Sequence, residues 1–279
     1  MKRYPFALAA TLSVMSLSSA QTIFAEETTE TTPKNIETTG TITFTPAEGP
    51  SVVVPPVEEP DVNPPEIPDK TAGPLAIVHA PTLNFGKQEI SVEDKTYEMQ
   101  AERATTMENE EQATTKGGDI VPYVSFVQVQ DLRGTNAGWN LKVSLSAFKS
   151  TGTQNDTLEG AELTFAGGAI NYSGGEASEP KLAYKEKLEI EPGEGSSYVM
   201  TAKSANVEKE QIGEGAGVTS LIWGNQEDLN SSYNKTNDLD KVVNKSITLF
   251  VPGNTTKDAA TYTATLTWEL TNTPPNDIE

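Results

Sequence analysis

Apolar and polar residues alternate strictly along two stretches of this chain. The first covers residues 139–145, with the sequence WNLKVSL, and the second covers residues 262–270, with the sequence YTATLTWEL. Alternation places every second side chain on one face of an extended strand, so both stretches predict β-strands with one apolar face. Residues 161–165 and 187–191 alternate as well, and apolar runs occur at residues 75–78, 121–129 and 247–251.

Turn-forming residues separate these predicted strands. Glycine pairs at residues 167–168 and 174–175, and the Pro-Gly pair at residues 252–253, are typical turn signals. Since no stretch has a convincing helical period, we predict an all-β fold, namely a single antiparallel β-sandwich or barrel-like domain over residues 73–279. The polar stretch at residues 98–118 has no clear period and predicts either a long surface loop or a short exposed helix.

The N-terminus has the pattern of an export signal. Two basic residues precede an apolar run over residues 6–17, and small residues follow it. The run is too short to span a bilayer, so we predict a signal peptide over residues 1–25, cleaved after Ala20 or Ala25. The mature protein is then secreted.

Residues 26–72 have the composition of a linker. The tract is rich in threonine and glutamate, and nine prolines fall between Pro46 and Pro74. Because proline removes backbone donors and acidic side chains repel one another, we predict a disordered, extended and acidic tract. Residues 40–45 and 52–54 are the two pieces within it that could form short strands.

Charge and cysteine content narrow the range of partners. The net charge is −20 and there are no cysteines, so disulfides do not stabilise the fold and nucleic acid or an anionic membrane would be repelled. No later segment approaches the ~20 apolar residues of a membrane helix. The polar residues 273–279 carry no sorting motif, so we expect retention outside the cell through a binding surface rather than a covalent anchor.

The sequence offers little catalytic chemistry. His79 is the only histidine, no Gly-x-Ser-x-Gly motif accompanies it, and one histidine cannot build a typical zinc site. We therefore expect His79 at the surface. Residues 234–240 are rich in oxygen ligands but lack the glycine and terminal glutamate of a calcium-binding EF-hand loop. The prediction is a protein that is not an enzyme and that uses no cofactor or metal.

The two alternating strands share a tripeptide pattern, Trp139-Asn140-Leu141 and Trp268-Glu269-Leu270. Together with other segments in the same order, this pattern resembles the WxL-domain family of Gram-positive cell-surface proteins, which two Trp-x-Leu motifs define. The supporting segments are residues 39–44, 83–86, 131–134 and 158–165.

The resemblance implies a function at the cell surface. It implies non-covalent attachment to peptidoglycan and assembly with other WxL proteins and with membrane-anchored, wall-binding partners. The candidate binding residues are then the four motif residues, Trp139, Leu141, Trp268 and Leu270. Trp223 is a further candidate, because it ends an apolar run and is followed by turn residues, where partial exposure is expected.

Two interpretations of the tryptophans remain open at this point. Trp139 and Trp268 lie in register with apolar stripes, which favours a place in the core. Alternatively, their indole faces stack on wall sugars. For Trp223, a contact role and a role as a lid on the core are equally consistent with the sequence.

Two other functions compete with wall attachment. One is an adhesin for host extracellular matrix, since a surface protein can bind the wall with one β face and a host target with a loop. The other is a wall-active glycosidase, which needs two carboxylates about 5–10 Å apart in a sugar-binding cleft. Forty acidic residues supply many such pairs in principle, but no cleft signature accompanies them.

Overall fold

The protein is described by a computed structural model over residues 39–47, 52–58, 60–64, 71–107 and 118–272. The chain divides into two compact units, residues 1–42 and residues 43–279. The predicted signal peptide lies outside the described residues, and only part of the predicted linker lies within them. The domain boundaries at residues 25 and 72 therefore stay predictions, and the fold below is that of the second unit.

The second unit is built almost entirely from short β-strands, and one α-helix, α1 (Gln226–Thr236), is present among its described residues. In chain order the strands are β1 (Val62–Asn63), β2 (Leu75–His79), β3 (Lys95–Gln100), β4 (Glu102–Thr106), β5 (Ile120–Tyr123), β6 (Ser125–Asp131), β7 (Trp139–Leu145), β8 (Glu162–Ala166), β9 (Ala169–Tyr172), β10 (Lys181–Leu182), β11 (Lys187–Ile190), β12 (Ser197–Ala202), β13 (Gly217–Trp223), β14 (Val243–Val251) and β15 (Leu266–Thr271).

The strands form four small antiparallel sheets. Their strand orders are β1-β4-β5, β10-β12-β7-β15, β11-β8-β14-β3 and β2-β6-β13-β9. The predicted all-β class is confirmed, but the prediction of a single sandwich or barrel is wrong, since the small sheets form a propeller-like ring. Alternation along a strand reports which face is buried and contains no information on how many sheets share that core.

Two hydrophobic clusters hold the sheets together. The larger cluster takes side chains from all three four-stranded sheets and includes both predicted strands with strict alternation, β7 and β15. The smaller cluster lies against the three-stranded sheet and helix α1, and contains Val62, Tyr123, Phe126 and Leu229. Because β6 contributes to both clusters, every residue of this strand is buried.

The polar stretch that predicted a loop or a helix instead contains strands. Residues 98–100 belong to β3 and residues 102–106 to β4, which pair with β14 and β5 respectively, whereas residues 108–117 lie outside the described part of the chain. A short helix also occurs where none was expected. Asn225 caps its N-terminus by accepting a hydrogen bond from the Asp228 N–H (3.1 Å), and Asn237 ends it at a left-handed φ of 48°.

Part of the tract predicted as linker belongs to the fold. Strand β1 pairs with β4, and its residue Val62 is completely buried in the smaller cluster. Residues 40–45, by contrast, form no strand, and Ile42 and Phe44 are 75% and 85% exposed. Residues 52–54 form no strand either, although they contact β6 through hydrogen bonds described below.

Candidate functional site

The fold brings the two Trp-x-Leu motifs together on neighbouring strands. Strands β7 and β15 pair antiparallel, so that Leu270 lies directly opposite Leu141 and Trp268 lies opposite Val143. In the described part of the chain, β15 pairs with β7 alone and forms the edge of its four-stranded sheet. Two motifs that lie more than a hundred residues apart in sequence therefore form one continuous patch.

The first motif lies wholly inside the protein. Trp139 and Leu141 have no exposed surface. The indole N–H of Trp139 donates a hydrogen bond to the Gly215 carbonyl (3.1 Å), which satisfies the one polar group that this side chain carries. Gly215 has a φ of 77°, and a Cβ there would lie 2.5 Å from the indole nitrogen. Glycine is thus required for the chain to pass over the ring.

The second motif is only half buried. Trp268 and Leu270 alternate with exposed residues along β15 and keep part of their surface open. The Trp268 ring packs on Phe165 in an edge-to-face arrangement, with centroids 6.3 Å apart, and on Trp223 with centroids 6.2 Å apart. Aromatic neighbours at these separations add to the free energy gained by burial and fix the orientation of the ring.

Trp223 has no exposed surface, in contrast to the partial exposure expected for a residue at a strand end. Its ring packs on Phe165, with centroids 4.8 Å apart, and its indole N–H donates to the Tyr184 hydroxyl (2.9 Å). Burial raises the pKa of Tyr184 to about 12. Neighbouring side chains cover the end of β13. The turn residues that follow Trp223 in sequence gave no indication of this burial.

A groove of about 1190 Å³ opens beside Trp268. Its apolar lining includes Leu83, Phe85, Phe148, Tyr262, Leu266 and Trp268. Charged residues also line it, among them Lys87, Glu89 and Asp258. A concave, mainly apolar site with a few polar groups is typical of ligand-binding pockets, so this groove is the candidate functional site.

Loop residues fix one wall of the groove. The Lys257 ammonium donates hydrogen bonds to three backbone carbonyls, those of Pro252 (2.9 Å), Thr255 (2.8 Å) and Ser91 (3.3 Å). A cation held by three carbonyls joins two loops that are distant in sequence. The Tyr262 hydroxyl donates to the Asn155 carbonyl (2.6 Å) and so holds its own ring in place at the groove.

Asp258, which also lines the groove, is fully engaged in structural hydrogen bonds. Its carboxylate accepts from the Gln154 N–H (2.8 Å), the Asn155 N–H (2.9 Å) and the Asn155 side-chain amide (2.7 Å). The hydrogen bonds from Asn155 hold the pKa of the Asp258 carboxyl below its usual range. This carboxylate therefore stays ionised at neutral pH and orders a loop.

Two buried titratable residues were not predicted from the sequence. His79 was expected at the surface, yet it is completely buried and its ring stacks on Phe126 with centroids 3.9 Å apart. Burial lowers its pKa to about 4. Glu102 is 7% exposed, and its Oε1 accepts a hydrogen bond from the Thr82 N–H (2.8 Å). Burial raises its pKa to about 8.

These two pKa shifts predict opposite effects of pH on stability. Because His79 is harder to protonate when folded, its contribution is present above pH 6.5 and is lost as pH falls towards 4. Because Glu102 is easier to protonate when folded, its contribution is present below pH 4.5 and is lost as pH rises towards 8. Between pH 6.5 and pH 8 the Glu102 effect therefore acts without an opposing change at His79.

We expect Glu102→Gln to remove the loss of stability between pH 6.5 and pH 8. The neutral amide keeps an acceptor for the Thr82 N–H and never ionises, whereas each unit of pKa shift corresponds to about 1.4 kcal/mol. Urea unfolding at pH 5, 6.5 and 8 measures the effect, with Glu89→Gln at the groove as the control. A wild-type protein as stable at pH 8 as at pH 6.5, or an equal loss in Glu102→Gln, would contradict the prediction.

Neither a metal centre nor a membrane-spanning helix is found in the described part of the chain. Its His, Asp and Glu side chains form no group of three that could hold a metal ion. None of its helices is both long and apolar enough to cross a membrane.

The chain was compared with protein families, curated proteins and solved structures. The model of a family described as WxL domain, surface cell wall-binding, matches residues 30–274. No curated protein and no solved structure matches the chain. The matched range includes both Trp-x-Leu motifs and all fifteen strands.

Proposed function

Since this chain belongs to the WxL domain family of surface cell wall-binding proteins, we propose that it is exported by a Gram-positive cell and attaches to peptidoglycan without a covalent bond. We further propose that it is not an enzyme and that it joins assemblies of surface proteins. The family membership supports cell-wall association. The groove beside Trp268 is the feature of the fold that suits the contact.

The half-buried ring of Trp268 is the observation that carries this proposal. It is the motif tryptophan that keeps open surface, since Trp139 is fully enclosed, and it lines the groove together with Tyr262. Sugar rings present apolar C–H faces that pack on aromatic rings, and their hydroxyl groups can reach polar groups at the rim. Lys87, which also lines the groove, offers a cation to the carboxylates of peptidoglycan stem peptides.

The two motifs differ in burial, and we infer different roles for them from this difference. Trp139 and Leu141 are completely buried, and Leu270 lies beside Leu141 on the neighbouring strand. Trp268 is then held against Phe165 and Trp223 with one part of its ring free. We propose that the first motif positions the second and that Trp268 makes the contact with the wall.

Asp258 does not suit the role of the general acid in glycoside hydrolysis. A glycosidase needs a carboxylic acid whose pKa is raised so that it can protonate the leaving group. Asp258 has the opposite tendency, since hydrogen bonds from Asn155 lower its pKa and occupy its oxygens.

Purified sacculi test the proposal directly. We expect the mature protein to co-sediment with Gram-positive sacculi in the absence of any enzyme, and to release no soluble reducing sugar from them. Sacculi freed of other surface polymers identify peptidoglycan as the target, and immobilised matrix proteins provide the comparison for an adhesin. Protein that stays in the supernatant would overturn wall attachment, and released sugar would show a glycosidase.

A further inference from the structure

Residues 52–57, which we call the strap, lie across the outer face of the β2-β6-β13-β9 sheet. The backbone of Val54 is held at both of its polar groups by one side chain. Its N–H donates to Gln128 Oε1 (2.9 Å), and its carbonyl accepts from Gln128 Nε2 (2.7 Å). Gln128 is completely buried, and the same Nε2 also donates to the Ser220 hydroxyl (2.7 Å).

The residues that hold the strap form a row across three strands. Ser220 on β13 lies directly opposite Gln128 on β6 and directly opposite Asn171 on β9. The Asn171 side-chain amide donates to the carbonyl of Pro56 (2.6 Å). Two strand spacings separate the ends of this row, about 10 Å, and the side chains of Gln128 and Asn171 reach backbone groups of Val54 and Pro56. We call Gln128, Ser220 and Asn171 the polar row.

The polar row recognises backbone atoms rather than particular side chains. The contacts to Val54 and Pro56 all involve main-chain N–H and C=O groups of the strap. Val53 and Val57 add apolar contacts to the smaller hydrophobic cluster. Backbone hydrogen bonds combined with pockets for alternate side chains are how sheet-edge sites bind extended peptides in general.

The two prolines of the strap explain why side chains, rather than the backbone of a neighbouring strand, form hydrogen bonds with the strap. Proline has no N–H to donate and favours an extended backbone that has no internal hydrogen bonds, so residues 55–56 cannot extend a β-ladder. A side-chain amide can instead reach the carbonyls that remain. The strap is therefore bound as an extended peptide ligand that happens to be part of the same chain.

We propose that the polar row is a binding site for extended polypeptide that exchanges its own strap for the strap of a second copy. A swapped pair makes the same hydrogen bonds and apolar contacts as a single chain, so the exchange costs no strap contact. Residues 64–70 connect the strap and β1 to Thr71, which is hydrogen-bonded to Ile77 of β2, and three of these seven residues are proline.

Two physical effects set the balance between the single and exchanged states. Copies bound to one surface have a high effective concentration, which favours exchange between chains. The net charge of −20 on each chain opposes close approach, and salt screens that repulsion. The exchanged fraction therefore rises with protein concentration and with ionic strength.

Cysteine cross-linking in the full mature chain tests the exchange without background, because the protein has no cysteine. One chain carries Val54→Cys, at a position where the native residue is 48% exposed and contacts Gln128 through backbone atoms. The other chain carries Ala169→Cys, an exposed position two residues from Asn171 on β9. A bismaleimide with a spacer of about 10 Å spans the width of the polar row.

We expect the mixture to give a covalent dimer of the two chains, several-fold above either chain alone. The yield should increase with concentration and salt, and Gln128→Ala in the Ala169→Cys chain should reduce it several-fold. Val207→Cys, at a position 93% exposed, replaces Ala169→Cys in the control for random collision. A chain carrying both cysteines should link internally when dilute.

Three results would overturn the proposal. A mixed-dimer yield equal to that of the Val207→Cys control at every concentration would show that the strap stays with its own chain. A yield unaffected by Gln128→Ala would show association at another surface. Failure of the double variant to link internally would show that the strap does not occupy the polar row.

Discussion

Trp139→Ala is expected to destabilise the domain by about 3–5 kcal/mol, the usual cost of emptying a fully buried aromatic site. Trp139 has no exposed surface, and the alanine variant would leave a cavity next to Leu141 in the larger hydrophobic cluster. It would also leave the Gly215 carbonyl without its indole donor. Domains of this kind are commonly stable by only 5–15 kcal/mol, so a large part of the total would be lost.

Urea unfolding followed by circular dichroism measures this effect. Trp139→Phe is the matched control, because it restores most of the volume but not the hydrogen bond to Gly215, and it should recover a large part of the stability. Wall binding should follow the folded fraction in both variants. An unfolding midpoint for Trp139→Ala close to that of the wild type would show that the first motif is not part of the core.

Strict alternation predicted a strand where one complete face is buried. Residues 139–145 alternate strictly and form β7 with the same bounds, because one side of that strand faces the larger cluster throughout. The strands β3 and β4 were missed for the opposite reason. Their side chains are mixed in polarity and largely exposed in β3, and pairing with β14, β1 and β5 holds them extended. Pairing with strands that are distant in sequence is difficult to predict from the local pattern of residues.

The positions of single side chains were harder to predict than the strands. His79 is buried because Phe126 stacks on it, and Trp223 is buried because Phe165 and Tyr184 cover it. Each of these contacts joins residues that are far apart in sequence. Register along a strand predicts the face on which a side chain lies, but not whether another sheet or loop covers that face.

The contacts of a whole segment, the strap, were also not predicted from the sequence. Its proline content predicted a solvated linker, and proline does exclude residues 55–56 from a ladder. The sequence gives no sign that Gln128 and Asn171 would replace the missing ladder partners through their side-chain amides. Composition reports which regular structures a segment avoids, whereas its actual contacts depend on the surface that it meets.

Trp268→Ala is expected to abolish binding to sacculi while leaving the domain folded. The ring is only half buried, so we expect a loss of about 2 kcal/mol, less than the full cost of a buried tryptophan. Register alone favoured a core role for Trp268, and its packing on Phe165 and Trp223 accounts for that part of the destabilisation. The open part of the ring lines the groove, and its loss removes the proposed contact surface.

A matched pair of controls separates loss of contact from loss of stability. Leu182→Ala should destabilise the domain to a similar degree, since Leu182 is partly buried against the same cluster but does not line the groove, and it should still bind sacculi. Trp268→Phe keeps an aromatic face and should retain part of the binding. Co-sedimentation and urea unfolding are measured on all three variants. If Leu182→Ala loses binding as completely as Trp268→Ala, or if Trp268→Ala still binds, Trp268 is a packing residue and the wall is bound elsewhere on the protein.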